Sequence, residues 1–209
     1  MAKLVFGMMQ SLDGYVAGVP GGPQMPPPGE QLGRHFTDHV RTLAGMVYGR
    51  RMYEVMSYWD VDQPDWDATD HDFAMVYRGK PKWVASRTLR DVGPNATLIR
   101  DDVSAFVRKL KEDISGEIDV AGPELAGSLT ASGLIDEYRL YLRPFVLGGS
   151  KPFFAGPMPA LQLVSAEPVG EDAVKLTYVW PSEEVSVIGV DIDATVRRAR
   201  AGAATEQGS

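Results

Sequence analysis

The chain alternates between short apolar runs and longer segments in which apolar residues recur every three or four positions. Leu4 to Met9 is an apolar run with little polar alternation, which predicts a strand covered on both faces. Glu30 to Leu43 predicts a helix, because its apolar residues share one face. Those residues are Leu32, Phe36, Val40 and Leu43.

The same two patterns continue along most of the chain. Further helices are predicted over Met52 to Tyr58, Asp70 to Tyr77, Val103 to Ile114 and Leu125 to Ile135. Further strands are predicted at Met46 to Tyr48, Pro81 to Ala85, Thr97 to Ile99, from Glu117, and at Glu137 to Val146, Leu161 to Ala166 and Ala173 to Trp180. The strand at Glu137 alternates, which predicts that one face is buried and the other solvated. The order predicts an α/β fold with a mixed, mainly parallel sheet, helices on both faces and a C-terminal antiparallel hairpin.

Two segments break this pattern. Val19 to Gly29 is rich in proline and glycine and predicts a long loop, either functional or disordered. After Ser182 the pattern weakens, so we expect one domain over residues 1–181 and an extension over 182–209. Within the extension, Val185 to Ile192 predicts an extra strand, and Ala203 to Ser209 a disordered end.

Composition excludes several classes of function. The 209 residues carry a net charge of -7, which argues against nucleic acid as a partner. No cysteine is present, so thiol catalysis and cysteine-bound zinc are excluded. We see no signal peptide and no apolar stretch of membrane-spanning length, and therefore expect a cytoplasmic protein without a membrane partner.

Polar and glycine residues follow several of the predicted strands. Gly49-Arg50-Arg51, Ser86-Arg87, Ala121-Gly122-Pro123 and Ser11 to Gly14 all lie at predicted carboxyl ends. Ligands of open α/β sheets bind at such ends, and helix N-termini attract anions. Each motif alone also suits an ordinary strand-helix connection or a solvated arginine. Together they predict a site for a phosphate-bearing cofactor.

The motifs as a set resemble the dihydrofolate-reductase-like family, in the branch of the riboflavin-biosynthesis reductase (the RibD C-terminal domain). The resemblance covers roughly Lys3 to Pro181. It is carried by Ser11 to Ala17, Tyr48 to Glu54, Ala85 to Leu89, Ala121 to Leu125, Leu134 to Tyr138 and Pro144 to Phe154.

The resemblance implies a dihydrofolate-reductase-like fold and an oxidoreductase that transfers a hydride from NADPH to a small heterocyclic, carbonyl or imine substrate. It implies that Asp13 is the catalytic residue, although Asp-Gly is also a common turn pair. We expect Ser11, Tyr15, Tyr58 and Trp59 to line the substrate pocket, although the three aromatic residues suit packing in the core equally well. The implied cofactor-binding residues are Met9, Ala17, Gly18, Gly49, Arg50, Arg51, Ser86, Arg87, Ala121, Gly122, Pro123, Glu124 and Leu125.

Four further points concern function and assembly. Ala121 replaces a glycine usual in the family, which suits a nucleotide-binding or sensing module without catalysis. His35 and His39 have the spacing of zinc ligands, but no third ligand is evident, so we expect no metal site. Glu30 and Asp38 are candidates for a substrate-binding carboxylate or for solvated residues. Val185 to Ile192 is expected to pair with a second copy, giving a homodimer.

Overall fold

An eight-stranded, mainly parallel sheet forms the centre of the molecule in a computed structural model that describes residues 1–156, 158 and 160–181. Ten strands are described: β1 Lys3–Ser11, β2 Tyr15–Ala17, β3 Gly45–Gly49, β4 Lys82–Ala85, β5 Ala96–Ile99, β6 Glu117–Ala121, β7 Glu137–Arg143, β8 Lys151–Pro152, β9 Gln162–Pro168 and β10 Val174–Val179. The sheet order is β5-β4-β3-β6-β1-β7-β10-β9, and β2 pairs separately with β8. All pairs from β5 to β7 are parallel, whereas β10 is antiparallel to both neighbours.

Helices cover both faces of this sheet, so the expected three-layer α/β/α fold is confirmed. The helices are α1 Glu30–Thr42, α2 Arg50–Met56, α3 Ala68–Arg78, α4 Val103–Asp113 and α5 Pro123–Ala131. Strand alternation explains the layers: Ile118 and Val120 of β6 pack with the core residues of α4 and α5. Ala121 instead joins the cluster formed with α1, α2 and α3.

The prediction for β7 was wrong in one respect, because both of its faces are covered. Tyr138 and Leu140 are buried on one face, while Tyr141 and Arg143 are buried on the other. β7 lies between β1 and β10, and Arg139 donates hydrogen bonds to Glu137 of the same strand and to Glu117 of β6. The polar residues that alternate along β7 therefore belong to a network of ion pairs inside the protein and not to a solvated face.

Three element boundaries also differ from the predictions. α5 ends at Ala131, so Leu134 and Ile135 are buried residues of the following connection and not of the helix. α2 begins at Arg50, and Ser57–Asp60 form a separate 3-10 turn. Within the glycine-containing stretch Gly148 to Pro152, for which no strand is predicted, residues 151–152 form the short strand β8 because they pair with β2.

The proline-rich loop of residues 19–29 is fastened to the sheet end. Arg143 donates from Nη1 to the carbonyl of Pro26 at 3.3 Å and from Nη2 to that of Pro27 at 3.2 Å. Asp172 accepts the Gly29 N–H at 3.0 Å and pairs with Arg143 at 2.9 Å. Because Arg143 is almost fully buried, these bonds hold the loop in a defined place.

The expected extension at 182–209, with its extra strand at 185–192 and disordered end, lies outside the described residues. Within the described part, none of the helices has the length and apolar character needed to span a membrane.

Candidate functional site

The carboxyl ends of four neighbouring parallel strands form one edge of the sheet. β4, β3, β6 and β1 are adjacent in that order. Their ends carry Ser86, Gly49, Gly122 and Ser11. The pairing of Gly49 with Ala85 and of Tyr48 with Ala121 keeps the first three ends level, whereas Val120 pairs with Phe6, so β1 continues past the level of Gly122 before it reaches Ser11. The predicted strand-end motifs thus lie at the same edge of the sheet, with Ser11 farther out.

Gly122 makes the junction between β6 and α5 open to an anion. Its φ of 109° lies in the region that glycine adopts without strain, and it offers no side chain to cap the helix. Pro123 occupies the first turn and has no N–H. The amides of Glu124 and Leu125 therefore belong to a helix N-terminus that no side chain caps, where the helix dipole favours negative charge.

Exposed arginines flank the same edge. Arg50 donates from Nε to Glu54 at 2.7 Å and from Nη1 to Thr88 at 2.9 Å, so it bridges α2 and the loop after β4. Arg51 is 79% exposed at its side chain, and Arg87 is exposed as well. Arginine side chains in such places bind phosphate groups through paired N–H bonds.

Two predicted cofactor residues also have structural roles. Ser86 Oγ accepts the N–H groups of Thr88 and Leu89 and so fixes the turn after β4. Glu124 accepts a hydrogen bond from Lys151 at 2.5 Å, which lowers the pKa of Glu124 and ties α5 to β8. Arg51 approaches the same carboxylate at 3.6 Å.

A cavity of about 330 Å³ lies on the face of the sheet covered by α1, α2 and α3. Its walls are mostly apolar, and the loop of residues 19–29 contributes Met25 and Pro28. Six methionines line it: Met8, Met9, Met25, Met46, Met52 and Met56. Methionine side chains adapt to irregular ligand shapes, and this volume falls in the range of small-molecule sites.

The cavity has a polar floor formed by α1, β6 and β7. His39 Nε2 lies 2.9 Å from Asp119 Oδ2, while Arg139 donates two bonds to Glu117 at 2.6 and 2.7 Å. The second oxygen of Asp119, Oδ1, is buried and has no hydrogen-bond partner within the described part of the chain. His39, Asp119 and Arg139 all line the cavity.

Ion pairs behind the floor hold its charges in place. Arg139 Nε donates to Glu137 at 2.6 Å, and Lys3 donates to the same carboxylate at 2.5 Å. Burial opposes the charge on both Arg139 and Glu137, but the opposite charges beside them prevail. The pKa of Glu137 is therefore lowered and that of Arg139 is raised.

The two histidines of α1 bind different partners and do not face a common centre. His35 Nε2 lies 3.1 Å from Tyr141 Oη, and burial lowers the pKa of His35, with the charge of Lys175 adding to the effect. His39, Glu117 and Asp119 offer ligand atoms within 4.8 Å of one another. Both oxygens of Glu117 already accept from Arg139, so the guanidinium supplies the positive charge there.

The structure places Asp13 at a turn. Its carboxylate accepts the N–H groups of Leu147 at 3.1 Å and Gly148 at 2.7 Å, and the residue is exposed. The Ser11 side chain, followed by these N–H groups, lowers the pKa of Asp13. Its catalytic role stays a prediction, and these contacts favour the alternative of a turn residue.

The four predicted substrate residues do not lie together. Trp59 lines the cavity, whereas Tyr58 lies outside it and accepts a bond from Trp66 Nε1 at 2.8 Å. Ser11 is fully buried and exchanges hydrogen bonds with the backbone of Tyr15. Tyr15 belongs to β2 and pairs with Pro152.

The remaining predicted residues separate into two groups. Met9 and Ala121 line the cavity, and the Ala121 side chain packs in the cluster that contains Tyr48. Ala17 and Gly18 end β2 beside the proline-rich loop. A Cβ at Gly18 would lie 1.9 Å from the Pro23 carbonyl oxygen, so this close approach requires glycine.

Sequence reasoning missed the polar floor of the cavity. Asp119 and Arg139 were not selected, and the candidates Glu30 and Asp38 instead pair with Arg34 and Arg41 on the exposed side of α1. The available signal was opposite charge at alternate positions of two strands, Glu117 and Asp119 in one and Arg139 in the other. β6 and β7 both pair with β1, and residues at alternate positions of a strand lie on one face of the sheet, so these charges can share a face.

Comparison with known proteins decides the family. The sequence profile of the RibD C-terminal domain matches residues 2–175. The chain belongs to the RibD C-terminal domain family. It is 27% identical over 181 residues to the uncharacterized protein YyaP of Bacillus subtilis (strain 168), covering 85% of this chain and 95% of that protein.

Solved structures of this family share its fold. A protein from Shewanella sp. PV-4 with a provisional riboflavin-biosynthesis name gives a TM-score of 0.64 at 22% identity, covering 87% of this chain and 100% of that one. The Thermotoga maritima diaminohydroxyphosphoribosylaminopyrimidine deaminase/5-amino-6-(5-phosphoribosylamino)uracil reductase gives 0.62 at 12% identity. That match covers 86% of this chain and 57% of the Thermotoga chain. The RibD-domain fold and the predicted dihydrofolate-reductase-like fold are the same, so the predicted resemblance is confirmed.

Proposed function

We propose that this protein is an NADPH-dependent reductase that transfers a hydride to a small heterocyclic, carbonyl or imine substrate. The observation that carries the proposal is the shared edge formed by the ends of neighbouring parallel strands, with the uncapped N-terminus of α5 at Gly122 and arginines beside it. Membership of the RibD C-terminal domain family supports it, because the Thermotoga relative is named a reductase.

The residues at this edge fit a phosphate-bearing dinucleotide. The α5 amides at Glu124 and Leu125 would hold a pyrophosphate, and Arg50, Arg51 and Arg87 would bind the adenosine-side phosphates. When bound, NADPH supplies the hydride, and the protein supplies orientation and a dry pocket. The three arginines favour NADPH over NADH, because only NADPH carries a 2′-phosphate.

The cavity beneath the edge is the proposed substrate site. Met9 and Ala121 belong to strands whose ends form the cofactor edge, and both line the cavity. The fastened proline-rich loop forms part of its wall through Met25 and Pro28 and would shield that side of a bound substrate from water. Asp13 is ionised at neutral pH, since its pKa is lowered, so we do not assign proton donation to it.

Homodimer formation is part of the proposal. β9 is the last strand of the sheet within the described residues, and its Leu163 and Val164 are 50% and 59% exposed. Exposed apolar residues on an edge strand favour pairing with another chain. We expect a dimer mass by light scattering, and a monomer for Val164→Lys; a monomeric wild-type protein would contradict this part of the proposal.

Binding of cofactors tests the main proposal. Titrations with NADPH and with NADH would follow quenching of tryptophan fluorescence and energy transfer to the nicotinamide. We expect tight, salt-sensitive NADPH binding, weaker NADH binding, and an NADPH preference that falls in Arg87→Gln and Arg50→Gln. Arg34→Gln, on the exposed side of α1, is the matched control. Binding of neither cofactor would reject the proposal and favour a module that binds another ligand.

A further inference from the structure

A second cavity, of about 700 Å³, lies on the face of the sheet opposite the proposed substrate site. Tyr138 of β7 lines this second cavity, whereas the next residue, Arg139, lines the substrate cavity, so the two cavities lie on opposite faces of one strand. We call the second cavity the α5 groove, because the small residues Ala126, Gly127 and Ala131 of α5 form one of its sides. The groove is thus separate from the proposed substrate site.

Aromatic and thioether side chains form the other sides of the α5 groove. Phe153 and Phe154 follow β8, Met158 belongs to the loop after them, and Trp180 directly follows β10. Phe153 is buried, but Phe154, Met158 and Trp180 each keep part of their surface exposed. Partly exposed apolar side chains gathered in one groove favour an occupant that removes them from water.

The polar atoms of this aromatic wall already have partners within the chain. Tyr138 Oη lies 2.9 Å from Thr130 Oγ1, and Trp180 Nε1 donates to the carbonyl of Ile135 at 2.6 Å. Small-molecule sites combine apolar walls with a few polar groups that are available to the ligand. Because these polar groups are engaged, the α5 groove suits an apolar chain segment better than a polar small molecule.

The α5 groove also carries little net charge. Among the described residues that line it, Glu124 is the one charged residue, and its carboxylate accepts a hydrogen bond from Lys151 at 2.5 Å. A charged segment would lose hydration in the groove without gaining a partner, whereas an uncharged segment would not. The occupant that fits is therefore apolar and uncharged.

The chain itself supplies such a segment immediately after the groove. Trp180 lines the groove, and the structure describes the chain as far as Pro181. The sequence continues with Ser182-Glu183-Glu184 and then with Val185-Ser186-Val187-Ile188-Gly189-Val190, before Asp191. The stretch Val185 to Val190 has four aliphatic residues and no charged one, so its composition matches the groove.

Chain lengths are compatible with this match. The three-residue connection before Val185 spans at most about 11 Å, and the six residues of the stretch span at most about 22 Å. α5 has nine residues and is therefore about 14 Å long, so the stretch can run along its whole length. A short connection raises the effective concentration of the stretch at the groove of the same chain, which favours that groove over the groove of a second copy.

We propose that the stretch Val185 to Val190 binds in the α5 groove of its own chain, with its aliphatic side chains against Phe154, Met158 and Trp180. The proposal does not depend on the reductase activity, and it holds whether or not NADPH binds. It gives the stretch a different place from the pairing with a second copy that the sequence pattern suggests. The mass of a cross-linked product distinguishes the two arrangements.

Disulfide cross-linking tests this placement in the full chain, which has no cysteine of its own. Ala131→Cys places a thiol at an exposed position of the groove, and it is combined in turn with Val185→Cys, Val187→Cys and Val190→Cys. We expect at least one of these pairs to form a cross-link within one chain, because a disulfide needs Cα atoms within about 7 Å of each other.

The matched control replaces Ala131→Cys by Met75→Cys. Met75 is 66% exposed on α3, which packs on the other face of the sheet, so we expect no cross-link from it. A product of monomer mass for the Ala131 pairs alone supports the proposal. A product of dimer mass would mean that the stretch binds a second copy, and no cross-link, or equal cross-linking to Met75, would mean that it does not bind in the groove; each of these results would overturn the proposal.

Hydrogen exchange followed by mass spectrometry tests the same placement without cysteines. In the wild-type chain we expect the amides of Val185 to Val190 to exchange at least about ten-fold more slowly than in a synthetic peptide of residues 182–196, because bound segments are protected. Ala131→Glu introduces a charge into the groove and should remove this protection, whereas Met75→Glu should not. Exchange at the peptide rate in the wild type, or the same protection in both variants, would contradict binding in the groove.

Discussion

A single methyl group placed at either of two glycines tests the geometry of the proposed cofactor edge. Gly122 and Gly49 each precede a helix at the ends of neighbouring strands, β6 and β3. The added Cβ would lie 3.7 Å from Met52 Cβ at position 122 and 3.7 Å from Leu125 Cβ at position 49. Both are ordinary contacts, so available space does not distinguish the two sites.

Backbone conformation does distinguish them. Gly122 has φ 109° and ψ 115°, whereas Gly49 has φ -74° and ψ 161°, which any residue adopts. Forcing alanine into the positive-φ region costs about 1–3 kcal/mol. Because a chain of this size loses about 2–4 °C of Tm per kcal/mol, Gly122→Ala is expected to melt about 2–12 °C lower. Gly49→Ala is expected to be unchanged or slightly stabilised, by up to about 1 kcal/mol.

Thermal unfolding followed by circular dichroism compares the two variants with the wild type. A parallel NADPH titration asks whether the strained turn also loses cofactor affinity, which we expect because the α5 amides follow Gly122. Equal melting temperatures for the two variants would refute the conformational reasoning. A drop in Gly49→Ala as large as that in Gly122→Ala would do so as well.

Three further predictions concern the core and two titrating groups. Leu129 is fully buried, so Leu129→Ala is expected to lower the free energy of unfolding in urea by about 2–5 kcal/mol. Met75 on α3 is 66% exposed, so Met75→Ala should change that free energy by about 0.5 kcal/mol or less, and similar losses in the two variants would contradict the assignment of Leu129 to the core. The pKa of Asp13 is lowered from 3.8, so the ionised Asp13 side chain stabilises the fold above pH 3.8, and this stabilisation is lost as pH falls through the lower folded-state pKa. The difference in Tm between the wild type and Asp13→Asn should therefore shrink on acidification, and a constant difference would contradict this prediction. Burial, and then the charge of Lys175, lower the pKa of His35 from 6.5. NMR titration should therefore give His35 a pKa below 6.5 in the wild type and a higher pKa in Lys175→Gln than in the wild type. A pKa at or above 6.5 in the wild type would disprove the stated cause. Because folded His35 binds protons more weakly than unfolded His35, this residue should reduce stability as pH falls below 6.5.

Most elements, and the shared edge of the strand ends that we propose as the cofactor site, were predictable because each rests on local patterns. Helical spacing located α1 and α4, and glycine or serine after an apolar run located the strand ends at Gly49, Ser86 and Gly122. Parallel strands end at one edge, so the convergence of these motifs followed from the order of elements. The structure confirms that order.

The cavity floor was not predictable in the same way, because it depends on which elements cover which face. Arg139 alternates with apolar residues, as a solvated strand residue does. Its face of β7 is covered because α1 packs over that face. The partner of Asp119 is His39, 80 positions away in the chain, and that pairing is fixed by packing. The turn at Asp13 agrees with its Asp-Gly pair, but the bonds that its carboxylate accepts from Leu147 and Gly148 depend on a loop far along the chain.

Backbone amide NMR of the full chain titrated with NADPH tests the central claim most directly, because it reports both binding and place. We predict saturable shift changes concentrated at the four strand ends, at Ser11, Gly49, Ser86 and Gly122, with weaker changes for NADH. Absence of saturable shifts, or shifts confined to residues far from this edge, would contradict the assignment of the cofactor site.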